Sequence, residues 1–191
     1  MARPRLWRLF RRPLRGQFSR LAPVWEGRVG PEGLVPLGAA LDRLPGSPRR
    51  ALDLGTGTGK AARVVARRFP EAEVVGVDLS PAMVEEANAL LPEELASRVR
   101  FEVADANELP FGDAAFDLVV LMNMIPFFEE LARVTAPGGR AIFASTRGAE
   151  TPIYVPPETL RSRLAAVGFG EFEELTAGEG SALLAARPER H

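Results

Sequence analysis

Apolar and polar positions follow two alternating rhythms along this chain. Short, nearly continuous apolar runs read as strands: Arg50–Leu54, Glu73–Val77, Val99–Ala104, Phe116–Met122, Arg140–Thr146, Glu171–Leu175 and Ala182–Ala186. Segments with apolar residues at helical spacing separate most of them: Leu34–Leu44, Lys60–Phe69, Ser80–Leu91, Glu129–Val134 and Pro157–Val167. Ser80-Pro81 is a helix start, with a capping hydroxyl followed by proline at the first helical position. Gly168 is a helix stop. Strands alternating with helices predict an α/β fold with right-handed crossovers. The sheet is expected to be doubly wound, mostly parallel and seven-stranded, with helices on both faces. No helix separates the last two strands, so they are expected to form an antiparallel hairpin at one edge.

A basic leader precedes this pattern. Residues 1–20 hold seven arginines and no acid, whereas the remainder carries 17 basic against 25 acidic residues. At 100° per residue, Arg5, Arg8, Arg11, Arg12 and Arg15 share one arc, and Leu6, Trp7, Leu9, Phe10, Pro13 and Leu14 share the other. Such segregation describes a helix able to lie on an anionic lipid surface. Pro4 and Pro13 are expected to limit it to about two turns. A tail, or a helix docked on its own domain, is the alternative. The chain thus divides into a leader, 1–26, and a domain, 27–191. Nucleic acid is not an expected partner, because nothing else in the chain is strongly basic.

Composition narrows the chemistry. Cysteine is absent, which excludes disulfides, thiolate metal sites and a cysteine nucleophile. The one histidine is His191, so no histidine triad or histidine-built metal site is expected. No run of about 20 apolar residues is present, and no continuous apolar run follows the first arginines. The expected location is cytoplasmic, with membrane association if the leader meets lipid.

Leu52-Asp-Leu-Gly-Thr-Gly-Thr-Gly-Lys60 carries the candidate chemistry. Glycines at 55, 57 and 59 follow a strand and precede a helix, a loop that lets a ligand approach backbone N–H groups closely. A phosphate loop would need glycine at 54 and Ser or Thr at 61, where Leu54 and Ala61 stand. A dinucleotide loop would need glycine at 60, where Lys60 stands. The spacing suits a ligand without a pyrophosphate. Asp78 ends the second strand, where an acid can accept hydrogen bonds from both ribose hydroxyls of a nucleoside, and Asp105 ends the third.

The chain resembles the class I S-adenosylmethionine-dependent methyltransferases from about Arg49 to Pro188. The matching motifs are Leu-Asp-Leu-Gly-Thr-Gly-Thr-Gly, Val-Val-Gly-Val-Asp-Leu-Ser, Ala-Asp-Ala-Asn-Glu-Leu-Pro-Phe, Ala-Phe-Asp-Leu-Val-Val and Arg-Val-Thr-Ala-Pro-Gly-Gly-Arg. The resemblance is greatest to members that methylate small molecules, quinones and lipids. It implies a Rossmann-like fold and S-adenosyl-L-methionine as cofactor. It also implies that Asp53, Gly55, Thr56, Gly57 and Gly59 hold the methionine part, Asp78 the ribose and Asp105 the adenine amino group. Leu79 and Ala106 would border the adenine. Met122 and Asn123 would face the sulfonium and the acceptor, Asn123 orienting the acceptor without acting as a base. Glu129, Glu130 and Tyr154 are acid–base candidates near the sheet edge, and none is singled out as the base.

Two segments are shorter than in such relatives, Asn123–Ala136 and Arg147–Pro156. Two readings therefore stand: methyl transfer to a small or lipid-like acceptor, or a non-catalytic methyltransferase-like protein that binds cofactor or partner. An aminopropyl transferase would want acids to hold a polyamine, and Asn123–Phe128 has none.

Overall fold

The computed structural model describes residues 4–151 and 153–189, and within 4–10 it describes the backbone alone. His191 and the side chains of Arg5, Leu6, Trp7, Arg8, Leu9 and Phe10 lie outside the described residues. Seven strands form one sheet: β1 Arg50–Leu54, β2 Glu73–Asp78, β3 Val99–Val103, β4 Phe116–Met122, β5 Thr135–Ser145, β6 Gly170–Ala177 and β7 Gly180–Ala186. Six helices surround it: α1 Pro4–Trp25, α2 Val35–Leu41, α3 Lys60–Arg68, α4 Pro81–Ala89, α5 Phe128–Val134 and α6 Pro157–Ala165. The strand order is β3-β2-β1-β4-β5-β7-β6. The first five strands pair parallel, and β7 pairs antiparallel with both β5 and β6. The doubly wound sheet and its antiparallel edge are as the apolar pattern predicts.

Side chains alternate between two cores. Leu118 and Val120 of β4 face a core shared with Leu37 and Leu41 of α2, Val65 of α3 and Ala87 of α4. Val119 and Leu121 face the other, with Leu131 of α5 and Leu164 of α6. This period of two explains why β4 is apolar throughout. The chain reverses its winding between β1 and β4, which opens a crevice at the carboxyl ends of the strands.

Two expectations are corrected. Strand β5 starts at Thr135 rather than Arg140, because Pro137-Gly138-Gly139 is absorbed as an irregularity. Gly138, at φ 76°, donates its N–H to the Arg187 carbonyl. The leader helix is not limited to two turns: α1 runs for 22 residues through Pro13 and Pro23. Both prolines are exposed. Docking of the opposite side on the domain offsets their cost. Leu14, Phe18, Leu21, Ala22 and Trp25 form that docked side, while Arg12, Arg15 and Arg20 are exposed.

Gly76, in the middle of β2, shows how tightly the sheet meets the loop above it. A Cβ there would lie 2.5 Å from the Phe101 ring and 2.6 Å from Thr56 Oγ1. We expect Gly76→Ala to lower stability by about 1–3 kcal/mol through overpacking, read as a lower urea midpoint at unchanged circular dichroism.

Candidate functional site

The loop Gly55–Gly59 leaves β1 at the crevice and enters α3. Its three glycines sit at φ 70°, 54° and 83°, conformations that side chains disfavour. Asp53 shapes this loop from below. Alternation along β1 turns it toward α3 rather than toward the crevice, and it is 1% exposed. Its Oδ2 accepts from Thr56 Oγ1 at 2.6 Å and from the Ala62 N–H at 3.0 Å. Burial pushes its carboxyl up from 3.8 to about 6, against the pull of those two donors. The structure therefore places Asp53 and Thr56 beneath the ligand side of the loop, where they fix its shape.

Asp78 projects from the end of β2 beside the same loop. Its Oδ2 accepts from Gly57 N–H at 3.0 Å and its Oδ1 from Ser80 N–H at 2.9 Å. Burial raises its pKa, opposed by those donors. The Leu79 N–H also donates to this carboxylate, and three backbone bonds still leave a lone pair for a further donor, as a carboxylate has about four such sites. Ser80 also caps α4, its Oγ accepting from Met83 N–H at 3.3 Å. Asp105, after β3, accepts from Asn107 N–H at 2.9 Å and pairs with Arg11 at 3.3 Å. Leu79 is half-buried and Ala106 buried, each directly after one of these acids. The loop and both acids thus lie in a row over β1, β2 and β3. That row offers a glycine cradle and two carboxylates, with Lys60 where a dinucleotide loop has its last glycine. It fits an adenosyl group.

The next side chains along the crevice differ from expectation. Met122 packs into the core on the α2–α4 face. Asn123 has φ 52°, and its amide is engaged by the loop after β5. It accepts from Thr146 N–H at 3.0 Å and donates to Thr146 Oγ1 at 3.3 Å. This left-handed turn delivers Met124 onto the glycine loop: a Cβ on Gly55 would lie 2.9 Å from Met124 Sδ. Met124 also lines a cavity on the far side, at the carboxyl ends of β4 and β5. The cavity is small, about 30 Å³, and open at its mouth, and its walls include Leu121, Phe143, Tyr154, Val155 and Leu160.

Acid–base candidates resolve by their partners. Glu130 is bonded to Arg133 at 2.7 Å and accepts from Leu109 N–H at 2.8 Å, and Arg133 holds its carboxyl below the usual range. It is a structural clamp. Glu129 is exposed. Tyr154 lines the cavity, and burial, with Glu174 and Glu158 nearby, raises its pKa, so its hydroxyl stays protonated at neutral pH. Trp25, Glu26 and Arg11 also meet the site. They escape a reading of the sequence because they belong to the leader, whose docking is a tertiary contact without a local signal.

The Asp53 geometry fixes a pH dependence. The folded carboxyl holds its proton up to about 6 and the unfolded one to 3.8, so between these values the folded state binds more protons. This group's contribution to stability therefore falls as pH rises through that window and is constant above it. We expect Asp53→Asn to remove this dependence. Urea midpoints of parent and variant should converge or diverge only between about pH 4 and 6, with the parent losing ground as pH rises.

Comparison with known proteins agrees with this geometry. Residues 51–139 match the family model of a methyltransferase domain. The chain is 44% identical over 111 residues to a malonyl-[acyl-carrier protein] O-methyltransferase of Halorhodospira halophila, covering 54% of this chain and 37% of that one. It is 45% identical over 103 residues to the demethylmenaquinone methyltransferase of Thermus thermophilus, covering 50% and 46%. The chain thus spans less than half the length of these curated relatives. Among solved structures, a chain from the complex of the Haloferax volcanii Trm112 methyltransferase activator with its candidate methyltransferase superposes with a TM-score of 0.76. That match has 20% identity and covers 90% of this chain and 98% of the other. With its matched segment, its sheet order and its glycine loop backed by Asp53 and flanked by Asp78, this chain is similar to the class I S-adenosylmethionine-dependent methyltransferases, whose cofactor is S-adenosyl-L-methionine.

Proposed function

We propose that this protein transfers a methyl group to an apolar small-molecule acceptor seated in the cavity beside Met124. The observation that carries this reading is the position of Met124, which touches the glycine loop at Gly55 and lines the cavity as well. Cofactor loop and cavity are therefore separated by one flexible side chain. When bound, the cofactor supplies an activated methyl carbon on a sulfonium. The chain's own work is to hold the reactants in line and exclude water. Gly57 and Gly55 let a ligand reach the backbone, and Asp78 would accept from ribose hydroxyls. Asp105 would accept from an adenine amino group.

The cavity suits a largely apolar acceptor. Of the residues lining it, only Tyr154 and Glu174 are ionisable. Tyr154 donates rather than accepts a proton at neutral pH, and Glu174 is paired with Arg161 at 2.9 Å. The surroundings thus favour an acceptor whose nucleophile needs little help from a base, such as a phenolate or an electron-rich ring carbon. Ile125 and Ile153 are exposed nearby, Ile153 lining the cavity itself, and give it an apolar rim that supports a lipid-like acceptor. Of the relatives named above, the demethylmenaquinone methyltransferase supports such an acceptor.

The exposed arginines of α1 favour a subsidiary reading, contact with an anionic membrane surface. Arg12, Arg15 and Arg20 face water. Each basic residue near such a surface contributes about 1 kcal/mol. Co-sedimentation with anionic but not neutral vesicles, weakened by salt, is the expected outcome. Equal recovery with both vesicle types would remove this reading.

Two experiments test the main proposal. Calorimetry should show S-adenosylmethionine and S-adenosylhomocysteine binding without NAD binding, and Asp78→Ala should weaken binding by about 1.5–3 kcal/mol. Unchanged affinity in that variant would contradict the role given to Asp78. Incubation with apolar phenols and quinols should release S-adenosylhomocysteine above the acceptor-free rate. Cofactor binding without turnover across such a panel would instead favour a non-catalytic binding protein, the reading to which the short segments after β4 and β5 point.

A further inference from the structure

Helix α1 crosses the carboxyl ends of β1, β2 and β3 in turn, and it touches each of the three places assigned to the cofactor. At its C-terminal end, Trp25 lies on the glycine loop: a Cβ on Gly57 would stand 2.9 Å from Trp25 Nε1. Two turns earlier, Ser19 Oγ is 2.9 Å from Ser80 Oγ, two residues beyond Asp78. Near its N-terminal end, Arg11 pairs with Asp105. None of these α1 residues belongs to the segment 51–139 that the family model matches.

The C-terminal end of α1 is tied to the domain by several polar contacts. Beyond Trp25, Glu26 accepts from Thr58 Oγ1 at 2.5 Å and from Arg63 at 2.9 Å, and it lies 3.7 Å from Lys60 Nζ. Lys60 also donates to the carbonyls of Glu26 and Val29. Trp25 itself meets Phe18 edge-to-face at 5.6 Å and carries Arg28 over its ring at 5.7 Å. Toward the other end, Arg11 pairs with Asp105 at 3.3 Å, and Arg11 is the more exposed of the two.

From this we infer that α1 is a strap over the adenosyl site, with Trp25 and Arg11 as cofactor-retaining residues outside the matched domain. The inference rests on the cofactor reading above. Trp25 covers the loop face that a ligand must approach, so a bound cofactor has to share that face with the indole. Arg11 holds the strap down at Asp105, the strand end assigned to adenine. Lifting of α1 gives access, and its return slows escape.

The test uses the full chain with Trp7→Phe, which leaves Trp25 as the sole tryptophan. Titration with S-adenosylhomocysteine should change Trp25 emission saturably, with the midpoint found by calorimetry. Saturating ligand should slow tryptic cleavage after Arg15 and Arg20. Ligand dissociation by stopped flow should quicken about two- to fivefold in Arg11→Ala, the range of an exposed pair. It should quicken further in Trp25→Ala, with Trp25→Phe intermediate, which guards against a merely unfolded variant. Calorimetric binding with unchanged emission, cleavage and dissociation would overturn the strap and leave the cofactor reading intact. Absence of calorimetric binding in the parent would overturn both.

Discussion

A carboxylate without water sits at the centre of this molecule. Asp53 is buried where the winding of the sheet reverses, and its two donors, Thr56 and Ala62, belong to the loop and the helix that follow it. Those bonds force the chain to turn sharply between β1 and α3, and glycines at positive φ make that turn at Gly55, Gly57 and Gly59. The turn brings the Gly57 N–H to Asp78 and leaves room for Met124 over Gly55. The adenosyl row and the acceptor cavity thus depend on one buried acid that would touch neither ligand. Its raised pKa records what that burial costs.

Much of this is written locally in the sequence. Strands β1 and β4 are legible because both faces are covered, so apolar runs and strand limits coincide. Ser80-Pro81 starts α4 as capping chemistry requires. Asp78 and Asp105 follow strands and therefore reach the crevice. Other features depend on contacts distant in sequence. Proline in α1 argues for a short helix until the domain beneath supplies the energy to keep it whole. Met122 lies on a strand and its orientation follows from alternation, but Met124 follows a left-handed residue that resets the direction, and that conformation is held by Thr146 from another strand. Asn123 accordingly positions its neighbour, with its own amide engaged.

Lys60 illustrates how one substitution redirects a loop. It stands where a dinucleotide loop needs glycine, and its ammonium is used by carbonyls of the segment after α1. A cation at the start of α3 thereby ties the leader to the domain instead of meeting a phosphate. Its position at a helix N-terminus, unfavourable by the macrodipole, is compensated by Glu26 nearby.

The docking of α1 also moves the working boundary of the domain. The family-model match begins at Ala51, yet Arg63, 8% exposed, relies on Glu26 for its charge partner, and Gly57 is covered by Trp25. A chain that began at Ala51 would keep its glycine loop and all but the first residue of its sheet, but leave a guanidinium buried without its carboxylate. The smallest piece that behaves like this protein therefore has to carry the segment around Glu26 as well as the matched one.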